Sequence, residues 1–61
     1  MAFEQLPGDP MMLLSVVNTK LRDSYVDLQA MCEDLEADEV WIKEKLKAVG
    51  YEYNQELNRF V

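Results

Sequence analysis

Histidine is absent from the 61-residue chain, and Cys32 is the only cysteine. A disulfide within one chain is therefore excluded, and the cysteine and histidine ligands of a typical zinc site are missing. The two glycines do not form a phosphate-binding loop, and no nucleophile stands beside a plausible base. These absences predict a protein that is not an enzyme and that holds no metal or cofactor.

Basic residues are also few. The chain has 6 lysines and arginines against 12 aspartates and glutamates, which gives a formal net charge of −6. An acidic chain repels the phosphates of nucleic acids and the surface of an anionic membrane at long range. The charge therefore disfavours DNA and membranes as partners.

Long apolar runs are missing as well. No segment approaches the ~18 consecutive apolar residues of a membrane span, and no basic start followed by an apolar core marks a signal peptide. A single cysteine, expected to be reduced and buried, fits the cytoplasm. Because the chain begins with Met1 and shows no tag, we expect a complete, small, acidic cytoplasmic protein.

The length predicts a single domain, residues 1–61. A chain this short buries only about 60% of its unfolded surface, so small domains usually need a disulfide, a metal or a partner subunit. The first two are disfavoured here, while 49% of the residues are hydrophobic. The composition therefore favours tight helix packing or self-association.

The first of three predicted helices begins at Asp9 and Pro10, where an acidic cap precedes a proline at the first helical position. It follows an extended N-terminal segment and runs to about Arg22. Its predicted apolar face consists of Met11, Leu14, Val17, Asn18, Leu21 and Tyr25, with Leu13 at the edge. Met12 and Val16 fall on the opposite face and form a second apolar strip.

The second predicted helix follows Ser24 and Asp27, which together resemble a capping box. It carries the clearest amphipathic pattern in the chain, at spacing i, i+3, i+4 and i+7. The residues of this pattern are Leu28, Met31, Cys32 and Leu35.

The third predicted helix, residues 39–49, follows a turn at residues 36–38, is capped by Asp38 and ends at Gly50 in the left-handed conformation. Its inward positions are Ile42, Leu46 and Val49. An i, i+4 ladder of charges on its outer face consists of Glu39, Lys43 and Lys47.

The C-terminal tail has two alternative predictions. Tyr51 and Tyr53 alternate as in a short strand, whereas Asn54 is placed to cap a helical turn that brings Leu57 and Phe60 inward. A strand in the tail would also allow pairing with the segment that contains Phe3 and Leu6.

The spacing over residues 28–51 is typical of a helix-turn-helix unit, with small Cys32 where two helices cross. The turn position often taken by glycine holds Glu36, which is strained if the turn needs a positive φ. The predicted fold is all-α: a compact three-helix, helix-turn-helix-like domain with an extended N-terminus and a short C-terminal strand or helical turn.

The main functional prediction is a non-enzymatic module that binds a protein partner or a second copy of itself and acts in interaction or regulation. Exposed apolar side chains in line often mark contact sites. The alternative is a DNA-binding protein that uses helix 39–49, with two lysines on phosphates and with Asp38 and Glu39 opposing them. The candidate surface for these functions consists of Met12, Val16, Val40, Lys43 and Lys47.

Four segments resemble a family of small bacterial proteins of about this length that is known only as a domain of unknown function. They are LPGDP (6–10), NTKLRD (18–23), CEDL (32–35) and GYEYN (50–54). The resemblance implies a stand-alone bacterial protein without an assigned activity, and it supplies no catalytic residues.

Two polar residues of NTKLRD have structural and functional interpretations. Asn18 on an apolar face needs hydrogen-bond partners, so we expect it to bond backbone groups of the tail or of a neighbouring helix rather than a ligand. Arg22 is expected to pair with Asp23 or Glu52 rather than with a phosphate. The tyrosines of the tail are expected to pack on the core rather than to stack on bases.

The acidic run EDLEADE (33–39) has no central glycine and does not match an EF-hand loop. It is interpreted as a solvated edge or as a docking surface for a basic partner. Cys32 is expected to be an unreactive core residue whose pKa is raised by Glu33 and Asp34. Trp41 is interpreted either as a cover of the core or as an interface anchor.

Overall fold

The computed structural model describes residues 6–61, which form three helices followed by a two-stranded antiparallel hairpin. The elements are α1 (Pro10–Asp23), α2 (Leu28–Leu35), α3 (Glu39–Lys47), β1 (Tyr53–Asn54) and β2 (Arg59–Phe60). The three predicted helices are confirmed, but the hairpin corrects the all-α class to a mostly helical fold. Phe3 lies outside the described residues, whereas Leu6 packs against the core.

An aspartate caps each of the three helices. The carboxylate of Asp9 accepts the Met12 N–H at 3.0 Å, and that of Asp38 accepts the Val40 N–H at 2.9 Å. The predicted capping box at Ser24 is wrong, because α1 extends to Asp23 and Ser24 closes its C-terminus. Asp27 caps α2 itself, and its carboxylate accepts the Ala30 N–H at 2.8 Å.

The buried stripe of α1 differs from the predicted one. Leu13, Val17 and Leu21 point into the core at spacing i, i+4 and i+8, while Met11 is exposed and Leu14 is half-buried. Both stripes have helical spacing, so the choice between them depends on packing against the other elements. The sequence of α1 alone therefore does not determine which stripe is buried.

The predicted inward positions of α2 are all buried, and so are Ile42 and Leu46 of α3. Val49 is exposed instead, because α3 ends at Lys47 and Val49 lies in the turn that follows. Phe60 completes the core from β2 and is 2% exposed. Leu57 was predicted to turn inward with it, but this side chain is exposed because it sits in the hairpin loop.

Two helices end in the same backbone arrangement, a Schellman motif. Tyr51 N–H donates to the Leu46 carbonyl after Gly50, whose φ is 90°. After α2, Ala37 N–H donates to the Cys32 carbonyl at 2.9 Å, and Glu36 occupies the glycine position with a φ of 56°. The turn thus requires positive φ at the position where the sequence has glutamate, and this conformation is strained for an L-residue.

Glu36→Gly is expected to stabilise the protein by about 0.5–1 kcal/mol, because glycine adopts the left-handed conformation without a Cβ clash. Urea unfolding followed by far-UV circular dichroism measures this change. Glu33→Gly inside α2 is the matched control, and it should destabilise the protein by about 1 kcal/mol. Equal destabilisation by both substitutions would contradict the strain at Glu36.

Candidate functional site

A groove runs along the surface between α3 and strand β1, and we call it the α3–β1 groove. Its central cavity has a volume of about 450 Å³ and is lined by Lys43, Glu44, Lys47, Tyr51, Glu52, Tyr53 and Phe60. A smaller cavity of about 160 Å³ adjoins it near the start of α2, and both cavities include Lys43 and Tyr53. The groove therefore combines aromatic rings with charged side chains of both signs.

Helix α3 places its charges along one side of the groove. Lys43 Nζ lies 2.9 Å from Glu39 Oε2, which confirms the first step of the predicted ladder. Within residues 6–61, no ion pair extends the ladder to Lys47. The Glu39–Lys43 pair is well exposed, so it contributes little to stability. It does reduce the positive charge that Lys43 offers to a ligand.

The hairpin ladder determines which backbone groups face the groove. Glu52 and Val61 exchange two backbone hydrogen bonds, of 3.0 and 2.9 Å, and the register places Tyr53 opposite Phe60. Residues of this next pair direct their N–H and C=O groups away from the partner strand. The Tyr53 backbone groups therefore point to the outer edge of β1, along the groove.

The Asn18 side chain occupies the corresponding outer edge of β2. The Phe60 N–H donates to Asn18 Oδ1 at 2.8 Å, and Asn18 Nδ2 donates to the Phe60 carbonyl at 3.2 Å. The amide thus attaches the hairpin to α1 with two hydrogen bonds, across 42 residues of sequence. The prediction that Asn18 bonds backbone groups of the tail is confirmed.

Asn58 connects the hairpin loop to the end of α1 and to the turn that follows it. Its Nδ2 group donates to the carbonyls of Leu21, at 3.1 Å, and Tyr25, at 2.9 Å. The Tyr53 hydroxyl donates to Asn58 Oδ1 at 2.8 Å and accepts the Leu28 N–H at 3.2 Å. Tyr53 therefore has the predicted packing role, whereas Asn58 was not predicted. The only sequence signal for it is an asparagine in a loop, a residue that tolerates the observed φ of 54°.

The five residues of the predicted interaction surface lie on α1 and α3. Only Lys43 and Lys47 line the groove. Met12 and Val40 are 60% and 61% exposed, on α1 and α3 respectively, and Val16 is half-buried beside Met12. Exposed apolar side chains of this kind are common on protein surfaces and do not by themselves identify a contact.

The remaining charged and aromatic candidates have local partners. Arg22 Nε lies 2.8 Å from Asp23 Oδ1, as predicted, and this hydrogen bond holds the pKa of Asp23 below its usual range. Lys45 Nζ lies 5.6 Å from the centroid of the Trp41 ring, a cation–π distance. In the part of the chain that the structure describes, no group of three or more acidic or cysteine side chains is arranged to hold a metal ion.

Cys32 is buried, as predicted, and burial raises the pKa of its thiol to about 11. Glu39 and Asp38 add smaller contributions in the same direction. The predicted cause, the sequence neighbours Glu33 and Asp34, is wrong, because both are exposed and the carboxylates that act on the thiol come from the start of α3. Since the thiolate is the nucleophilic form, the folded protein has an unreactive cysteine.

We expect the burial of Cys32 to limit stability at high pH. The thiol pKa is about 11 in the folded state against 9.0 when unperturbed, so its contribution is fully present below pH 9 and is lost as the pH rises through 11. The slope of the free energy of unfolding between pH 8 and 11 should therefore be less negative for Cys32→Ala than for the parent, although the cavity lowers the overall stability of this variant. Parallel pH profiles for the two proteins would contradict the raised pKa.

Sequence comparison assigns the chain to a family. Residues 7–60 match the model of a domain of unknown function, DUF4250. The chain belongs to this family. The resemblance seen in the sequence is therefore confirmed at the family level, and the matched region includes both sides of the α3–β1 groove. Neither a curated protein nor a solved structure matches the chain. Within residues 6–61 of this DUF4250 protein, every helix is too short or too polar to cross a membrane.

Proposed function

We propose that this DUF4250 protein is a non-enzymatic interaction module that binds a protein partner in the α3–β1 groove. The observation that supports this function is the combination of two half-buried tyrosine rings with both lysines and glutamates in one groove. Tyrosine is enriched in interfaces because it buries a large ring at low entropic cost and keeps a polar group. We also propose that the protein is bacterial and cytoplasmic, and that its helices form a helix-turn-helix-like scaffold.

The experiment is site-specific photo-crosslinking in cells, with p-benzoylphenylalanine at position 47 in the groove. We expect a discrete adduct from this position, because Lys47 is an exposed groove residue. Position 15, an exposed serine on α1 that lies outside the groove, is the matched control. The absence of an adduct at position 47, or equal adducts from both positions, would contradict the groove as a binding site.

Self-association through the apolar side chains is a second candidate. It is supported by the exposure of Met12 and Val40 and by the absence of a disulfide in so small a domain. In the same experiment, crosslinks from positions 12 and 40 with twice the mass of the chain would favour it. Ala substitution at Met12 and Val16 should then weaken the assembly without unfolding it. A monomer in light scattering at high concentration would remove this candidate.

DNA binding through α3 is a weaker candidate. Lys43 and Lys47 lie one turn apart on an exposed side of the helix, which favours it. Three acids oppose it: Asp38 and Glu39 at the helix N-terminus, of which Glu39 already pairs with Lys43, and Glu44 further along the helix. Duplex titration at low salt tests this function, since phosphate contacts weaken steeply as salt rises. A Lys43→Ala, Lys47→Ala double variant that binds like the parent would exclude it.

A further inference from the structure

The two edges of the hairpin are not equivalent. At the outer edge of β2, the Asn18 amide accepts from the Phe60 N–H and donates to the Phe60 carbonyl, as a neighbouring strand would. At the outer edge of β1, the ladder directs the Tyr53 N–H and C=O outward. Among residues 6–61, no side chain or backbone group bonds them. The β1 edge therefore has one donor and one acceptor ready for a further strand.

The open edge lies along the α3–β1 groove. Tyr53 lines the central cavity, the small cavity near α2 and a third cavity, of about 530 Å³, that includes Asn54 and Val61. These three cavities follow β1 along its length, with Lys43 and Lys47 of α3 contributing to the other side. A groove between a strand edge and a helix is suited to an extended peptide, as in other strand-addition sites.

A folded second copy is a poorer occupant of this groove. Its own β2 edge is covered by Asn18, and its β1 edge is bordered by α3. Pairing two such edges would bring the two α3 helices into the space that each strand needs. An unfolded, extended segment meets no such obstacle.

Charge indicates what kind of segment fits. The groove carboxylates of Asp27, Glu39, Glu44 and Glu52 outnumber the ammonium groups of Lys43 and Lys47. The net charge of the whole chain is −6, and this charge attracts basic partners at long range. The half-buried rings of Tyr51 and Tyr53 provide apolar contacts and also accept cations on their faces, whereas Phe60 lies beneath them in the core. Alternate side chains of a strand point to opposite sides, so apolar and basic residues should alternate in the ligand.

We propose that the β1 edge binds an extended, basic and apolar segment of a partner protein as a third strand of the hairpin. The Tyr53 backbone supplies the two main-chain hydrogen bonds, and the α3–β1 groove holds the side chains. This inference rests on the proposed function, because it names the partner chemistry for the same groove. The Tyr53 backbone offers only one such pair of hydrogen bonds, so side-chain contacts and charge must supply much of the affinity.

The test is a titration of the ¹⁵N-labelled full chain with a blocked peptide of alternating lysine and valine, followed by amide NMR. We expect shifts centred on residues 51–55 and slower hydrogen exchange of the Tyr53 N–H. The same peptide with an N-methyl group on every residue has no backbone donor on either edge and should bind about tenfold more weakly, since the hydrogen bond to the Tyr53 carbonyl is lost and the methyl groups crowd the strand edge. A lysine-to-glutamate version of the peptide should not bind.

Two variants of the protein separate a local charge effect in the groove from a general effect of net charge. Glu52→Lys should weaken binding of the basic peptide by about tenfold, because an attraction becomes a repulsion in the groove. Glu56→Lys makes the same charge change at an exposed position of the hairpin loop and is the matched control. Equal weakening by both variants would show a general charge effect and overturn the site.

The outcomes also separate this inference from the proposed function. If the N-methylated peptide binds as tightly as the parent peptide, strand addition is wrong, although the groove remains a binding site. If no basic peptide shifts Tyr53 while position 47 still crosslinks a protein in cells, the strand-addition site is wrong and the interaction module stands. If position 47 gives no crosslink, the proposed function fails independently of the peptide result.

Discussion

Replacing Asn18 with alanine should lower the free energy of unfolding by about 2–3 kcal/mol. The substitution removes both hydrogen bonds to Phe60, of 2.8 and 3.2 Å, and leaves the N–H and C=O of a core strand residue without partners. Phe60 is 2% exposed, so water replaces these bonds incompletely. A domain of this size has a total stability of about 3–9 kcal/mol, and the loss is therefore a large share of it.

Urea unfolding, followed by Trp41 fluorescence and by circular dichroism, measures this effect. Asn18→Asp keeps an acceptor for the Phe60 N–H but not the donor for the carbonyl, so it should fall between the parent and the alanine variant. Thr19→Ala changes an exposed neighbour on the same helix and should leave the unfolding midpoint almost unchanged. If Asn18→Ala unfolds at the same urea concentration as Thr19→Ala, the amide does not attach the hairpin.

Replacing Asn58 with alanine should cost about 3 kcal/mol, for two separate reasons. The side chain makes hydrogen bonds to the Leu21 carbonyl, the Tyr25 carbonyl and the Tyr53 hydroxyl. The Leu21 and Tyr25 carbonyls lie at and just beyond the end of α1, where such groups have no partner within the helix. The residue also has a φ of 54°, which alanine adopts less readily than asparagine.

Asn58→Gly separates the two contributions, because glycine keeps the backbone conformation and loses only the hydrogen bonds. We expect the glycine variant to be about 1 kcal/mol more stable than the alanine variant in the same urea experiment. Tyr53→Phe, which removes the hydroxyl of the same network, should cost about 1 kcal/mol. Glycine and alanine variants of equal stability would show that the left-handed backbone contributes nothing.

Local chemistry made the helices predictable. Aspartate before Pro10 and before Glu39 marked two helix starts, and the i, i+3, i+4, i+7 spacing of α2 identified its buried face without any tertiary information. The stripe of α1 was harder, because Leu13 and Met11 fit helical spacing equally well and only the neighbouring elements decide between them. Val49 was misassigned because the end of α3 lies two residues before it.

The candidate site depends on contacts that are distant in sequence. Lys43 and Lys47 were predictable as neighbours from their spacing, but the groove also needs Tyr53 and the register of the hairpin. No Asn-Gly or Asp-Gly pair marks the hairpin loop, so its type was not readable from sequence. Asn18 on an apolar face signalled that a partner was required, although Phe60 as that partner was not foreseeable.

The Asn18–Phe60 contact has a consequence for the time course of folding. It joins residues 42 positions apart, and the Asn58 contacts to α1 and the adjoining turn span 37 and 33 positions, whereas the helical turns form between close neighbours. Because each of these contacts closes a long loop, we expect them to form after the rate-limiting step, so that they slow unfolding with little effect on the folding rate. Asn18→Ala and Asn58→Ala should therefore shorten the lifetime of the native state more than they change the rate at which it is reached.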